Sequence, residues 1–362
     1  MRRRFVALAA GVLLGLGFAT TAQAPAQAAV PDAWGFAFMH NAAPAPGTIL
    51  DTTRQWGSWK TAFPLDWATV TQIGVGRYRV TFPHIGSTRG VVHVTAVSST
   101  PRWCQVMTWF ASGGNELVDV QCYRHGGIPD ASRFAIVYNT SSGVLPAGSG
   151  NFAYVYANLL GGTIHSYNSM GLVNTVTHGA PGVYKVVLPG LGGSAVALAG
   201  NLQVTSVHPN SPRRCKVADF SRSGAAYVVT VICHDQAGVL TDSWFNLTFH
   251  EKRAIFGALA PPKNFGYHWY LGGGATNYNS QGGANAVILS GPVGQYMVTM
   301  DLIGVREDHV QVTAFGTTPD YCLLQEVWGR SLTTVVIRNV WCFNVAGALA
   351  NNRWFVTYSS RV

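Results

Sequence analysis

Three cysteine pairs, each wrapped around a turn, restrict this chain more than any other feature. The first runs Cys104-Gln105-Val106, turns at Ser112-Gly113-Gly114-Asn115 and returns through Val118-Asp119-Val120-Gln121-Cys122. The second runs Cys215-Lys216-Val217, turns near Ser223-Gly224 and returns through Val229-Thr230-Val231-Ile232-Cys233. The third spans Cys322 to Cys342, with a turn near Gly329-Arg330-Ser331. The midpoints, Gly113, Gly224 and Leu332, fall at or beside these turns. Cysteines equidistant from a hairpin turn face each other across an antiparallel ladder, at a separation a disulfide can span. The expected bridges are therefore Cys104–Cys122, Cys215–Cys233 and Cys322–Cys342. Six cysteines used in this way suit an oxidising compartment.

The N-terminus agrees with export. Met1-Arg2-Arg3-Arg4 is basic, Phe5 to Phe18 is apolar, and small-residue sites follow at Ala22-Gln23-Ala24 and Ala26-Gln27-Ala28. This pattern predicts a signal peptide over 1–29, cleaved after Ala28 or Ala29. No second long apolar run follows, so a secreted, extracellular chain without a transmembrane segment is expected. Removing Arg2, Arg3 and Arg4 leaves 21 basic against 15 acidic residues, an excess of +6. The basic residues are scattered apart from Arg213-Arg214 and Lys252-Arg253. That distribution gives no reason to expect a nucleic acid partner and slightly favours adherence to anionic envelopes.

The mature chain repeats itself. Each copy opens with alternating aromatics: Trp34-Gly35-Phe36-Ala37-Phe38, Phe152-Ala153-Tyr154-Val155-Tyr156 and Phe265-Gly266-Tyr267-His268-Trp269. Tyr167-Asn168-Ser169 and Tyr278-Asn279-Ser280 follow in copies two and three, with Trp56-Gly57-Ser58 at the comparable place in copy one. A Gly-x-Tyr strand begins at Gly76, Gly182 and Gly294, with Tyr, Val and Phe, Leu or Met on one face and polar residues on the other. Such alternation predicts an antiparallel sheet with one wet face. Val92-His93-Val94-Thr95, Leu202-Gln203-Val204-Thr205 and Val310-Gln311-Val312-Thr313 come next, then the cysteine hairpin. Gly127, Gly238 and Gly347 then predict turns of positive φ, with Asp130, Asp242 and Asn351 as Asx caps. A closing strand starts at Phe134, Phe245 and Trp354.

Short strands, many turns, 41 glycines and few charges define the fold class. The chain is predicted to be all-β, with three tandem antiparallel β-sandwich or jelly-roll-like domains and one intradomain disulfide each. The domains are placed at 30–140, 150–250 and 263–362, and each is expected to fold alone. Linkers fall at 140–150 and 257–263.

Gly-x-Tyr-x-Val, Val-x-Val-Thr-Ala, a cysteine pair and a closing aromatic strand together resemble a group of secreted tandem-repeat β-domain proteins from actinobacteria. The resemblance covers nearly the whole mature chain. It implies fold and export, and it carries over no catalytic residues.

The chemistry in the sequence is sparse. The histidines lack ligand spacing, so no metal or cofactor is expected. No carboxylate pair recurs between copies as a glycosidase would require, and no catalytic residues are assigned. The best binding candidates are Tyr167, Asn168, Tyr278 and Asn279, which join a flat ring to amide hydrogen-bonding groups. The competing reading is a turn in which Asn and Ser satisfy local backbone. The leading expectation is a secreted, non-enzymatic binding or adhesion protein. Its partner would be a cell-surface or extracellular component, with a glycan or cell-envelope component as the candidate. The alternatives are an extracellular hydrolase of a polymer and a structural cell-envelope component.

Overall fold

A computed structural model describes residues 32–145, 148–193, 198–256, 264–272 and 275–361. The expected signal peptide over 1–29 and the linker at 257–263 lie outside these residues. The fold is all-β, arranged as three β-sandwich units with one disulfide each. Among the described residues, no helix is long and apolar enough to cross a membrane.

The three bridges join Cys104 to Cys122, Cys215 to Cys233 and Cys322 to Cys342, with Cα atoms 4.0, 4.0 and 4.1 Å apart. In each hairpin the cysteines are direct cross-strand partners. The tight turns lie at Gly113-Gly114, Gly224-Ala225 and Leu332-Thr333, and the first residue of each has φ of 58°, 59° or 54°. Glycine supplies that conformation in two units without steric cost.

The middle unit shows the plan. On one side, Thr163–Asn168, Asn151–Ala157, Trp244–Glu251 and Asn201–Val207 pair in that order. On the other, Thr175–His178, Val183–Leu188, Ala226–His234 and Arg214–Ser223 do the same. Val155, Tyr184, Val186, Leu202, Val204, Val229 and Leu247 fill the space between them.

Neither layer stops at the unit boundary. Asn201–Val207 continues in parallel onto the first unit's hairpin strand Arg102–Ser112, through Val207 and Val106. Asp308–Phe315 joins the second unit's Arg214–Ser223 through Phe315 and Val217. Val91–Val97 joins the third unit's Tyr321–Leu324 through Val97 and Leu324. One backbone bond seals each junction: His208 N–H to Val106 O at 2.9 Å, Gly316 N–H to Val217 O at 2.8 Å and Ser98 N–H to Leu324 O at 2.8 Å. Every sheet is thus built from two units, and the three units close into a ring.

The inner strands Val91–Val97, Asn201–Val207 and Asp308–Phe315 are buried along their whole length. One face of each joins its own core. The other carries His93 and Thr95, Gln203 and Thr205, or Gln311 and Thr313, and meets the neighbouring units. Thr95 Oγ1 accepts from the Val312 N–H at 3.0 Å and donates to Gln311 Oε1 at 2.7 Å. Thr313 Oγ1 accepts from the Val204 N–H at 3.0 Å and donates to Gln203 Oε1 at 2.9 Å. Thr205 Oγ1 accepts from the Val94 N–H at 3.4 Å and lies 3.1 Å from His93 Nδ1. His93 Nε2 meets Thr248 Oγ1 at 2.7 Å. The polar alternates of these inner strands therefore form a buried polar seam. In the Gly-x-Tyr strands the expected wet face is present, as in the half-buried Arg77, Arg79 and Thr81 beside buried Tyr78, Val80 and Phe82.

The Asx caps differ from expectation. Gly127, Gly238 and Gly347 do have positive φ, at 76°, 84° and 75°. The turns of the second and third units, however, are capped by Asp235 and Asn344, which accept two backbone N–H groups each. Asp242 and Asn351 instead reach the N–H of Gly182 and Gly294, at 2.6 and 2.8 Å, and so tie the Gly-x-Tyr strands to the closing loops. Asp130 pairs with Arg102 at 2.8 Å. An aspartate or asparagine satisfies whichever unpaired N–H the fold brings near, and the Gly-x-Tyr N–H is nearer.

Because sheets and cores cross between units, the architecture argues against each unit folding alone. Excised 150–250 would expose the edge of Asn201–Val207 and the buried polar seam. We expect residues 30–362 to unfold cooperatively in urea and the excised segment to show no cooperative transition. Matching cooperative transitions for both, by circular dichroism and tryptophan fluorescence, would contradict the shared-sheet account.

Burial holds His93 and His309 neutral down to about 3, and His234, His250 and His268 down to about 4. Unfolded histidine takes up its proton near 6.5. Below that pH the unfolded state binds protons that the native state refuses, so stability falls as pH drops from about 6.5 towards 4. Each such histidine contributes up to about 1.4 kcal/mol per pH unit in that window. Glu116 opposes them: burial raises its carboxyl to about 7, so this one group favours the folded state as pH falls from 7 to 4.5. Five histidines outweigh it. The His93→Gln variant places in the first unit the residue that the seam already accommodates at 203 and 311. Urea titrations from pH 7 to pH 4 should show a folded variant with a shallower loss of stability than the parent. An unchanged slope would contradict the assignment.

Candidate functional site: an aromatic groove between the first two units

The same ring pair is built at each junction. At the second junction Phe220 lies 5.5 Å from Trp269, and both are at most 4% exposed. At the third-to-first junction Trp328 lies 5.7 Å from Phe38, and both are at most 1% exposed. Between the first and second units, Trp109 lies 4.6 Å from Tyr156, but here both rings are only half-buried. They line an open cavity of about 430 Å³ with Ser87, Thr88, Thr108, Phe110 and His165.

Local structure explains each position. A bulge between Val106 and Thr108 shifts the hairpin register, after which Trp109 is held opposite Val118. Tyr156 and His165 are cross-strand partners, with rings 5.8 Å apart. The Ser87 loop is pinned from below. Gly86 N–H donates to Gly114 O at 2.9 Å and Ser87 N–H to Glu116 Oε2 at 2.9 Å. Burial lowers the His165 pKa, and the nearby Arg89 guanidinium lowers it further. Burial raises the Tyr156 hydroxyl to about 12, so both groups are neutral near pH 7. The Tyr156 hydroxyl meets no hydrogen-bond partner among the described residues.

Ser87 also borders a second cavity of about 370 Å³, lined by Phe63, His84, Trp59 and Ser58. There Phe63 stacks on His84 at 3.7 Å, and His84 Nε2 meets Asp66 Oδ2 at 2.6 Å. The two cavities share Ser87 in their walls, and each is an open groove with its own aromatic set. Such a groove can stack apolar faces and present neutral hydrogen-bonding groups at its edges. Glu116 lies behind its wall, fully enclosed, and serves the Ser87 loop. A larger cleft of about 480 Å³ in the third unit keeps Tyr296 and Phe315 buried and leaves only Tyr270 half-buried among its rings. Tyr270 stacks on Trp354 at 5.1 Å, and Arg353 lies 4.7 Å over Phe315.

The residues singled out from sequence lie elsewhere. Tyr167 is buried between Phe152 and Tyr154, at 6.1 and 5.7 Å. Asn168 donates to Pro189 O and Asn174 Oδ1 and accepts from the Met170 N–H. Asn279 repeats this with Asp301 O, Asn285 Oδ1 and the Gln281 N–H, while Tyr278 stacks on Phe265 and Tyr267. Ser58, Ser169 and Ser280 each accept the N–H that opens the aromatic strand. The two Asn amides are thus committed to turns, and the structure brings none of the four residues into the groove. Sequence reading missed Trp109, Tyr156 and His165, which converge only through the shared sheet, and Phe63 and His84, which two loops of the first unit bring together. The available signal was Trp109-Phe110, adjacent aromatics on one strand, which cannot both face inward.

Among the described residues, no cluster of three or more His, Cys, Asp or Glu is placed to hold a metal ion. No family model, curated protein or solved structure matches this chain.

Proposed function

We propose that this chain is a secreted, non-enzymatic binding protein whose groove between the first two units holds an extracellular or cell-envelope glycan. The observation that carries this reading is the contrast between junctions. Two close over their aromatic pair, whereas the first leaves Trp109 and Tyr156 half-exposed at the wall of an open groove. A pyranose offers an apolar C–H face to such rings and hydroxyls to Ser87, Thr88, Thr108 and His165. The neutral groups suit an uncharged or weakly acidic sugar better than a strong polyanion. Three disulfides and the basic, then apolar N-terminus support export.

The test is binding of envelope polysaccharides and defined oligosaccharides to the mature chain, by glycan array followed by calorimetry. Trp109→Ala should weaken binding at least about tenfold, the order expected for loss of one anchoring ring. Trp109 is half-exposed but packs on the first core, so the variant should stay folded with a modestly lower melting temperature. Equal glycan affinity in parent and variant, or depolymerisation of the bound glycan, would overturn the reading.

A further inference from the structure

The residue before the first cysteine of each disulfide differs between units: Trp103, Arg214 and Tyr321. The ring closure brings all three together. The Arg214 guanidinium lies 4.8 Å from the Trp103 ring and 4.6 Å from the Tyr321 ring. They line a cavity of about 60 Å³ where the three units meet, with Cys104, Cys215 and Cys322 also in its wall. That volume has room for one or two groups the size of a water molecule and none for a sugar.

The wall is rich in donors and poor in acceptors. Trp103, Arg214 and Tyr321 are 6%, 8% and 5% exposed, and Trp103 Nε1, Arg214 Nε and the Tyr321 hydroxyl are buried without a partner. Arg213, Arg214 and Lys216 line the cavity against one carboxylate, Asp320, which accepts from the Thr318 hydroxyl at 2.9 Å. Arg214 Nη2 donates only to a neutral backbone oxygen, that of Asp235, at 3.2 Å. Lys216 Nζ likewise donates to Thr318 O at 2.8 Å and Asp320 O at 3.2 Å. His234, the remaining titratable wall residue, is neutral near pH 7. Asp320 and Asp235 offset part of the Arg214 charge, and burial lowers Lys216 to about 7. The buried guanidinium is thus only partly compensated, and the orphaned donors add to the cost.

We infer that the cavity where the three units meet is a binding site for a small inorganic anion of halide size, held by Trp103, Arg214 and Tyr321. An anion there would supply the missing acceptor and add counter-charge, and would fasten the three units at one point. The inference is independent of the glycan groove.

The test uses the mature chain with bromide as probe. Crystals grown in sodium bromide should show an anomalous peak within hydrogen-bond reach of Trp103 Nε1, Arg214 Nε and the Tyr321 hydroxyl. In solution, bromide or chloride should raise the melting temperature saturably over gluconate at equal ionic strength. Arg214→Met, which keeps a stem between the two rings, should lose both effects. Should that variant fail to fold, Trp103→Phe removes a single donor and should weaken bromide binding about tenfold. No anomalous peak in the cavity, or the same halide response in the parent and in either folded variant, would overturn the assignment.

Discussion

Three threonine hydroxyls tie together the inner strands at which the three sandwiches meet. Thr95, Thr205 and Thr313 each take a backbone N–H from the inner strand of a neighbouring unit, and each meets the His or Gln side chain beside that N–H. In a fully buried strand such bonds cannot be replaced by water, so each Thr is worth more than a surface hydroxyl. The parallel junctions at Val106–Val207, Val217–Phe315 and Val97–Leu324 follow from the same approach of inner strands. So does the exchange of core residues, such as Val207 and Tyr321 in the first core or Phe38 and Val97 in the third.

The ring also explains why two unlike sites arise from similar units. Equivalent positions carry different residues, and closure brings those differences together. At the points where units pair, one junction opens a groove and two remain sealed. Where all three meet, Trp, Arg and Tyr converge at positions that a symmetric assembly would fill with one residue type. Neither the Trp109–Tyr156 wall nor the three-unit cavity exists within a single unit.

Local features were legible in the sequence. The cysteine registers follow from hairpin symmetry. The Gly of Gly-x-Tyr is needed because φ is positive and a Cβ at Gly182 would lie 2.6 Å from Cys233 O. Long-range features were not legible. An alternating strand such as Val92-His93-Val94-Thr95 reads the same whether its polar face meets water or another unit's polar face. Tyr167-Asn168-Ser169 shows its hydrogen-bonding groups but not that Pro189, Asn174 and Met170 already use them. The groove was invisible because Trp109 belongs to one unit and Tyr156 and His165 to the next.

Hydrogen–deuterium exchange of residues 30–362, with and without the glycan proposed as ligand, tests the junction account most directly. The account predicts slowed exchange in 105–111, 151–157 and 163–168, with no change at the sealed junctions around Phe220–Trp269 and Phe38–Trp328. Protection confined to the Asn168 and Asn279 turns or to the third-unit cleft, with none at the first junction, would contradict it.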